Sequence, residues 1–248
     1  MYENNICLYF IMKLALLLYG LTKATYFHHW DKVPEGLRRG NRLARKKMKV
    51  DWKKSYKNYQ EYMFDYFKKK GYDIDIYFVS NEINDNERVK LERAYKCVSC
   101  AYMSSQKLPE ARNLKVEKVI ELCLESKRKY DHVLITRFDL YFMKDFNKSN
   151  IQFDKLNIVS SLGRLQGTLR SICDNFYLMP YEYLAKFLNV LKQNRHKMAH
   201  WIGDKFENIN GKEFINFILD EKKRVRDLSF YKIVREPYVP VYMRGLLM

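Results

Sequence analysis

Glycine is scarce in this chain. Nine glycines stand among 248 residues, and nowhere do they form G-x-G-x-x-G or a Walker pattern. Both motifs need clustered glycine to bring backbone N–H groups against phosphate, so a dinucleotide-binding or P-loop fold is disfavoured. Cysteine is also sparse: Cys7, Cys97, Cys100, Cys123 and Cys173 form no paired framework, and an odd count suits a reducing compartment. Cys97 and Cys100 make a lone C-x-x-C, read here inside a helical pattern, with no second pair to complete a zinc site. No internal repeat and no low-complexity linker divides the chain.

Long apolar runs are missing too. The stretch from Ile6 to Leu21 is broken by Lys13 and falls short of the roughly 20 residues that a spanning helix needs. A signal anchor over 6–21 stays as an alternative. The better division falls at Met12: residues 1–11 are an extension outside the fold, and Lys13 to Tyr19 is a buried strand closed by Gly20. The chain is therefore expected to be soluble and cytoplasmic.

Acidic residues are few beside basic ones, 29 against 46, for a formal charge of +17. Such a balance favours anionic partners: nucleic acid, an acidic membrane surface or phosphorylated metabolites. It does not choose among them, and a Lys-, Asn-, Tyr- and Ile-rich composition can equally reflect an AT-rich genome. Ten of the charges lie between Leu37 and Lys57, among them Arg45, Lys46 and Lys47, and form a basic arm. The hydrophobic fraction of 47% is enough for a folded core. One domain is expected over 12–248.

Periodicity sets out the elements. Tyr59, Met63, Tyr66 and Phe67 share one face of a helix over 55–70 that Gly71 stops. A strand follows over 74–79, then helices over 87–97 and 114–129, then the apolar strand His132 to Thr136. This alternation predicts an α/β fold with a mostly parallel central sheet flanked by helices. Further on, 156–160 and 176–179 read as strands, 181–191 and 214–221 as helices, and 228–234 as a terminal strand.

In open α/β sheets ligands bind outside the carboxyl ends of the strands. That rule favours the loop Tyr19-Gly20-Leu21-Thr22-Lys23 and the triplet Arg137-Phe138-Asp139, both following apolar runs. Asp73 and Asp75 match an Asp-x-Asp metal motif more literally but precede their run, at the amino end. A diphosphate needs its charge neutralised by a divalent cation, by Arg or by both. Asp139 could hold the cation and Arg137 the phosphate; the alternative is an ordinary Arg137–Asp139 ion pair at a strand end.

These residues resemble a family of small GT-A-fold glycosyltransferases found among viral and bacterial glycan-building enzymes. Lys13 to Gly20 is similar to the family's opening nucleotide-binding strand, and Tyr72 to Phe78 to the strand that carries its D-x-F element. Tyr130 to Leu140 resembles its Y-D-x-V-I-x-x-R-x-D signature, and Cys173-Asp174-Asn175-Phe176-Tyr177 its D-N-F element. The likeness covers about residues 12–200.

The resemblance implies a nucleotide-diphospho-sugar transferase domain, with a nucleotide-binding half (12–140) and an acceptor or catalytic half (141–248). Tyr19, Gly20, Thr22, Lys23, Arg137 and Asn175 would meet the nucleotide-sugar donor. Asp174 would act as general base on a hydroxyl of the glycan or glycoprotein acceptor, with Arg137 beside it; a helix or turn cap is its plainer role. Asp139 would hold Mn2+ or Mg2+, with His200, at i+4 from His196, a possible third ligand. Charge, not the resemblance, places Arg45, Lys46 and Lys47 of the basic arm on the acceptor side, where they would hold an anionic partner. Lys23 stands where the family commonly has Arg, and the basic arm has no counterpart. A nucleic-acid-binding or interaction protein is the rival, but the tyrosines between 52 and 70 recur at helical spacing, which suits a core face better than a stacking platform.

Overall fold

An apolar strand with paired neighbours on both sides must bury both of its faces, and β1 (Met12–Gly20) does so. Its residues Leu14 through Tyr19 are at most 1% exposed. The computed structural model describes residues 11–20, 22–26, 48–104, 110–143, 146–161, 171–193, 214–220 and 231–233. After β1 come β2 (Lys23–Tyr26) and β3 (Met48–Asp51), an antiparallel pair, and then α1 (Trp52–Tyr59). A π-helical turn, Gln60–Phe64, joins α1 directly to α2 (Asp65–Lys69). The chain continues through β4 (Tyr72–Asn81), α3 (Asp85–Tyr95), β5 (Ser99–Met103), α4 (Glu110–Glu125) and β6 (His132–Arg137). Next are β7 (Leu140–Phe142), β8 (Leu156–Ser161), β9 (Ser171–Pro180), α5 (Leu184–Gln193), β10 (Ile215–Asp220) and β11 (Tyr231–Ile233).

Among the described residues seven strands form the main sheet, in the order β10-β8-β9-β6-β1-β4-β5. Its pairings are parallel except where β9 meets β6 and β8. The expected fold class, α/β with a mostly parallel central sheet between helices, is thus the one the chain adopts. Side chains alternate across a strand, and the core divides accordingly. Leu14, Leu16 and Leu18 pack with Tyr59, Met63 and Phe67 of the α1–α2 helix, whereas Ala15, Leu17 and Tyr19 pack with Val119 and Ile120 of α4 and Phe187 of α5.

Several boundaries differ from the periodicity. The first helix begins at Trp52, three residues before the expected Ser55, because Asp51 caps it by accepting the Lys53 N–H at 3.1 Å. Its end is as expected: Gly71 takes φ +84 and its N–H reaches the Lys68 carbonyl at 2.9 Å. The C-x-x-C does not lie within a helix. Cys97 follows α3 and Cys100 belongs to β5, an edge strand the sequence pattern did not mark; both cysteines are half-buried free thiols. The segment 214–221, expected as a helix, carries β10, which pairs in parallel with β8 from Ile215↔Leu156 to Asp220↔Ser161. Backbone pairing along a whole strand outweighs a short apolar pattern that fits both periods.

The apolar stretch 6–21 is no helix where it is described, since Met12–Gly20 is an inner strand of the sheet. Among the described residues no helix is long and apolar enough to cross a membrane. Residues 1–10 of the expected extension lie outside the described residues.

Candidate functional site

The register brings one set of ends together. β1 pairs β6 up to Tyr19↔Arg137 and β4 up to Gly20↔Ser80, so Gly20, Ser80, Asn81 and Arg137 share the carboxyl edge. β9 runs the other way, and its pairing Thr136↔Phe176 brings Asn175 to this edge beside Arg137. Asp174, one residue earlier, lies in β9 too; its side chain is outside the described residues.

Arg137 and Asp139 meet each other. Arg137 Nε donates to Asp139 Oδ1 at 2.7 Å and Nη2 to Oδ2 at 2.5 Å, while Nη1 reaches Asn175 Oδ1 at 3.2 Å. The Arg137 side chain is 13% exposed and that of Asp139 0%. This is the bidentate geometry in which a planar guanidinium binds a carboxylate best.

Helix α1 holds the backbone that carries the pair. Tyr59 donates its hydroxyl to the Arg137 carbonyl, and Ser55 donates its hydroxyl to the Phe138 carbonyl. Asn58 donates to the Phe142 carbonyl at 3.0 Å and accepts from the Phe142 N–H at 2.6 Å. Burial, with Tyr95 and Asp139 adding to it, raises the Tyr59 phenol well above its usual value, so it stays protonated and remains a donor. The Phe138 ring is fully buried, edge-on to Phe78 and Tyr95 with centroids 5.5 Å from each.

The neighbouring loop is built around Gly20, whose φ of +112 a side-chain-bearing residue rarely adopts. Thr22, fully buried, packs its hydroxyl 2.6 Å from that of Ser80 and donates its N–H to Asn81 Oδ1 at 3.2 Å. The Thr22 carbonyl accepts the first N–H of α1, from Trp52, at 2.8 Å. Tyr19 was expected to face a nucleoside, but its ring is fully buried on the α4–α5 side. What it offers this edge is its carbonyl, which accepts the Phe138 N–H at 3.1 Å. Lys23 lies in β2 and its side chain is outside the described residues, as are Arg45, Lys46, Lys47, His196 and His200 altogether.

Asp139 was expected to hold Mn2+ or Mg2+. Both its oxygens are taken by one guanidinium and neither is exposed. Among the described residues no group of three His, Cys, Asp or Glu comes together. The described residues therefore do not fit a divalent cation at Asp139 in this arrangement. Asp75 stands at the opposite edge, where it accepts from Arg128 and from the Tyr130 hydroxyl, each at 2.8 Å.

Residue spacing had indicated Arg137, Asp139 and the Gly20 loop, and the family resemblance Asn175; the structure places Arg137 in contact with both Asp139 and Asn175. Neither had indicated Ser80, Asn81, Ser55, Asn58 or Tyr59. Ser80 and Asn81 could have been found by the rule used for Arg137, since they end the apolar run of β4. Ser55, Asn58 and Tyr59 touch residues about 80 positions away, as the sequence separations of 83, 84 and 78 show, and nothing local marks that.

No protein-family model matches the chain, and no curated protein matches it. Solved structures similar to it include a glycosyltransferase involved in glycosylation of the major capsid of PBCV-1, at 11% identity and TM-score 0.41, with 83% of this chain and 80% of that one covered. The glycosyltransferase GlyE of Streptococcus pneumoniae is 8% identical with TM-score 0.41, over 84% of this chain and 45% of its own. A nucleoside-diphosphate-sugar pyrophosphorylase from Vibrio cholerae is 11% identical with TM-score 0.46, over 83% and 91%. At such distances the chemistry of the site has to be read from its own residues.

Proposed function

We propose that the protein is a nucleotide-sugar-dependent glycosyltransferase that moves a sugar to a glycan or glycoprotein acceptor, with the donor seated at the carboxyl edge of β1, β4 and β6. The observation that carries this reading is Arg137. Its guanidinium is aimed by Asp139 and Asn175 at the end of a buried parallel strand, beside a loop whose glycine permits close backbone approach. Transfer breaks the bond between the anomeric carbon and the diphosphate oxygen, forms one to an acceptor hydroxyl, and leaves negative charge on the departing diphosphate. A fixed guanidinium lowers the cost of that charge. Asp174 is the residue proposed to take the acceptor proton, and Thr22, Lys23 and the Gly20 backbone to line the donor side.

The acceptor is proposed to approach over α1. Lys53, Lys54 and Lys57 are exposed on the helix whose inner face holds the Arg137 loop, and they continue the basic arm of Arg45, Lys46 and Lys47. An anionic acceptor, or one on an acidic membrane surface, suits that charge. The division into a donor half, 12–140, and an acceptor half, 141–248, belongs to the same proposal. Nucleic acid suits the surface less well, since Trp52, Tyr59, Tyr66 and Phe67 are buried and offer no stacking platform.

The test is a panel of UDP, GDP, dTDP and CMP sugars, with and without manganese, scored by thermal shift and by release of free nucleotide. Stabilisation and slow donor hydrolysis with one nucleotide class are expected. No response to any member, together with retention on a phosphate resin that moderate salt abolishes, would replace this reading with a polyanion-binding one.

A further inference from the structure

We propose that Asp139 is the fixed counter-ion that aims Arg137 and not a cation ligand, so that the donor diphosphate is held at this edge without a cation bridging to Asp139. The inference rests on the nucleotide-sugar reading above.

The i, i+2 spacing brings two side chains together here across a turn, since Arg137 ends β6 and Phe138 and Asp139 form the turn that follows. In an Asp-x-Asp motif that spacing puts two carboxylates together, and their mutual repulsion is relieved by a shared cation. In Arg137-Phe138-Asp139 the same spacing puts a cation and an anion together, and they satisfy each other through the two bonds at 2.7 and 2.5 Å. The guanidinium stands in the electrostatic place that a metal ion would take.

The pair is also fixed in place. Phe138 between them is locked by its N–H on the Tyr19 carbonyl, by its carbonyl on the Ser55 hydroxyl and by a ring with no exposure. The carbonyl of Arg137 is held by Tyr59, and the chain three residues beyond Asp139 by Asn58. To reach a cation Asp139 would have to break a buried bidentate pair and turn away from Arg137. A carboxylate already neutralised at 0% exposure has little left to offer a divalent ion, which needs anionic oxygen in reach.

The experiment measures manganese uptake by the loss of the free Mn2+ paramagnetic resonance signal, for the wild-type protein, Asp139→Asn and the charge-neutral double variant Arg137→Gln/Asp139→Asn. The double variant guards against misfolding of the single one, because it removes both charges together. Uptake is expected to be the same in all three. In parallel, the nucleoside diphosphate that binds best should show one Kd in EDTA and in manganese. Asp139→Asn should raise that Kd by the same factor in both media, at a temperature where its circular dichroism is unchanged. Manganese uptake by the wild type that both variants lose would overturn the inference, as would an affinity gain from manganese that vanishes in Asp139→Asn. A panel in which no nucleotide binds in either medium would instead sink the donor reading, and the manganese comparison would still decide the role of Asp139.

Discussion

The hydroxyl of Tyr59, on α1, is bonded to the main-chain carbonyl of Arg137, a residue 78 positions further along the chain. This contact ties the helix bearing the exposed lysines to the strand end bearing the guanidinium. The π-helical turn begins at the very next residue, Gln60. Such turns shift the register of the side chains that follow them.

Tyr59→Phe removes only that hydroxyl from a fully buried ring. The lost hydrogen bond should cost about 1 kcal/mol of stability, and more if the Arg137 carbonyl is left dry. The affinity for nucleoside diphosphate should fall beyond what the stability loss explains, because the backbone under Arg137 is no longer held. Calorimetric titration of the folded variant checks this, and unchanged affinity would reduce Tyr59 to a packing residue.

Gly20→Ala isolates backbone strain from crowding. A Cβ at Gly20 would meet nothing within 4 Å, so the penalty comes from φ +112 alone. About 1–3 kcal/mol of destabilisation is expected. Thermal melts measure it, and nucleotide affinity should drop with it, because relaxing φ moves the loop that leads to Thr22.

Much of this arrangement was legible before the fold was known, and what was not legible has definite causes. Leu14 to Leu18 announced an inner strand because both its faces are apolar, and the strand-end rule led from there to Gly20 and Arg137. β5 escaped notice because its five residues are all half-buried and show no alternation. The start of α1 was hidden within a run of lysines, where charge masked the cap at Asp51. β10 was misread because Phe214, Ile215 and Ile218 suit a helix as well as a strand, and only the partner β8 decides. The pairing of Arg137 with Asp139 was open to two readings, since spacing alone cannot tell a carboxylate that binds a cation from one that binds its neighbour.

His132 gives a pH signature at the edge away from the site. Its ring lies 2.8 Å from the Tyr72 hydroxyl through Nδ1 and 3.0 Å from the Phe153 carbonyl through Nε2, and burial lowers its pKa below the ordinary 6.5. The unfolded chain therefore takes up a proton that the folded one resists, and stability should fall as pH drops through 6.5 toward the lowered folded value. Melting temperatures of the wild type and His132→Asn across that window test the sign. The variant should lose that part of the slope, and an unchanged slope would assign it to other groups.

The claim on which everything else depends is that Arg137 meets the donor diphosphate. The direct measurement is the Kd of the best-binding nucleoside diphosphate for the wild type, Arg137→Gln and Asp75→Asn, by calorimetry, with circular dichroism to show that each is folded. Asp75 is the control, a carboxylate of the opposite edge held by Arg128 and Tyr130. One lost charge-assisted contact corresponds to about 1.5–3 kcal/mol, or roughly 10- to 150-fold in Kd. The account predicts that loss for Arg137→Gln and wild-type affinity for Asp75→Asn, whereas wild-type affinity in Arg137→Gln with weakened binding in Asp75→Asn would contradict it.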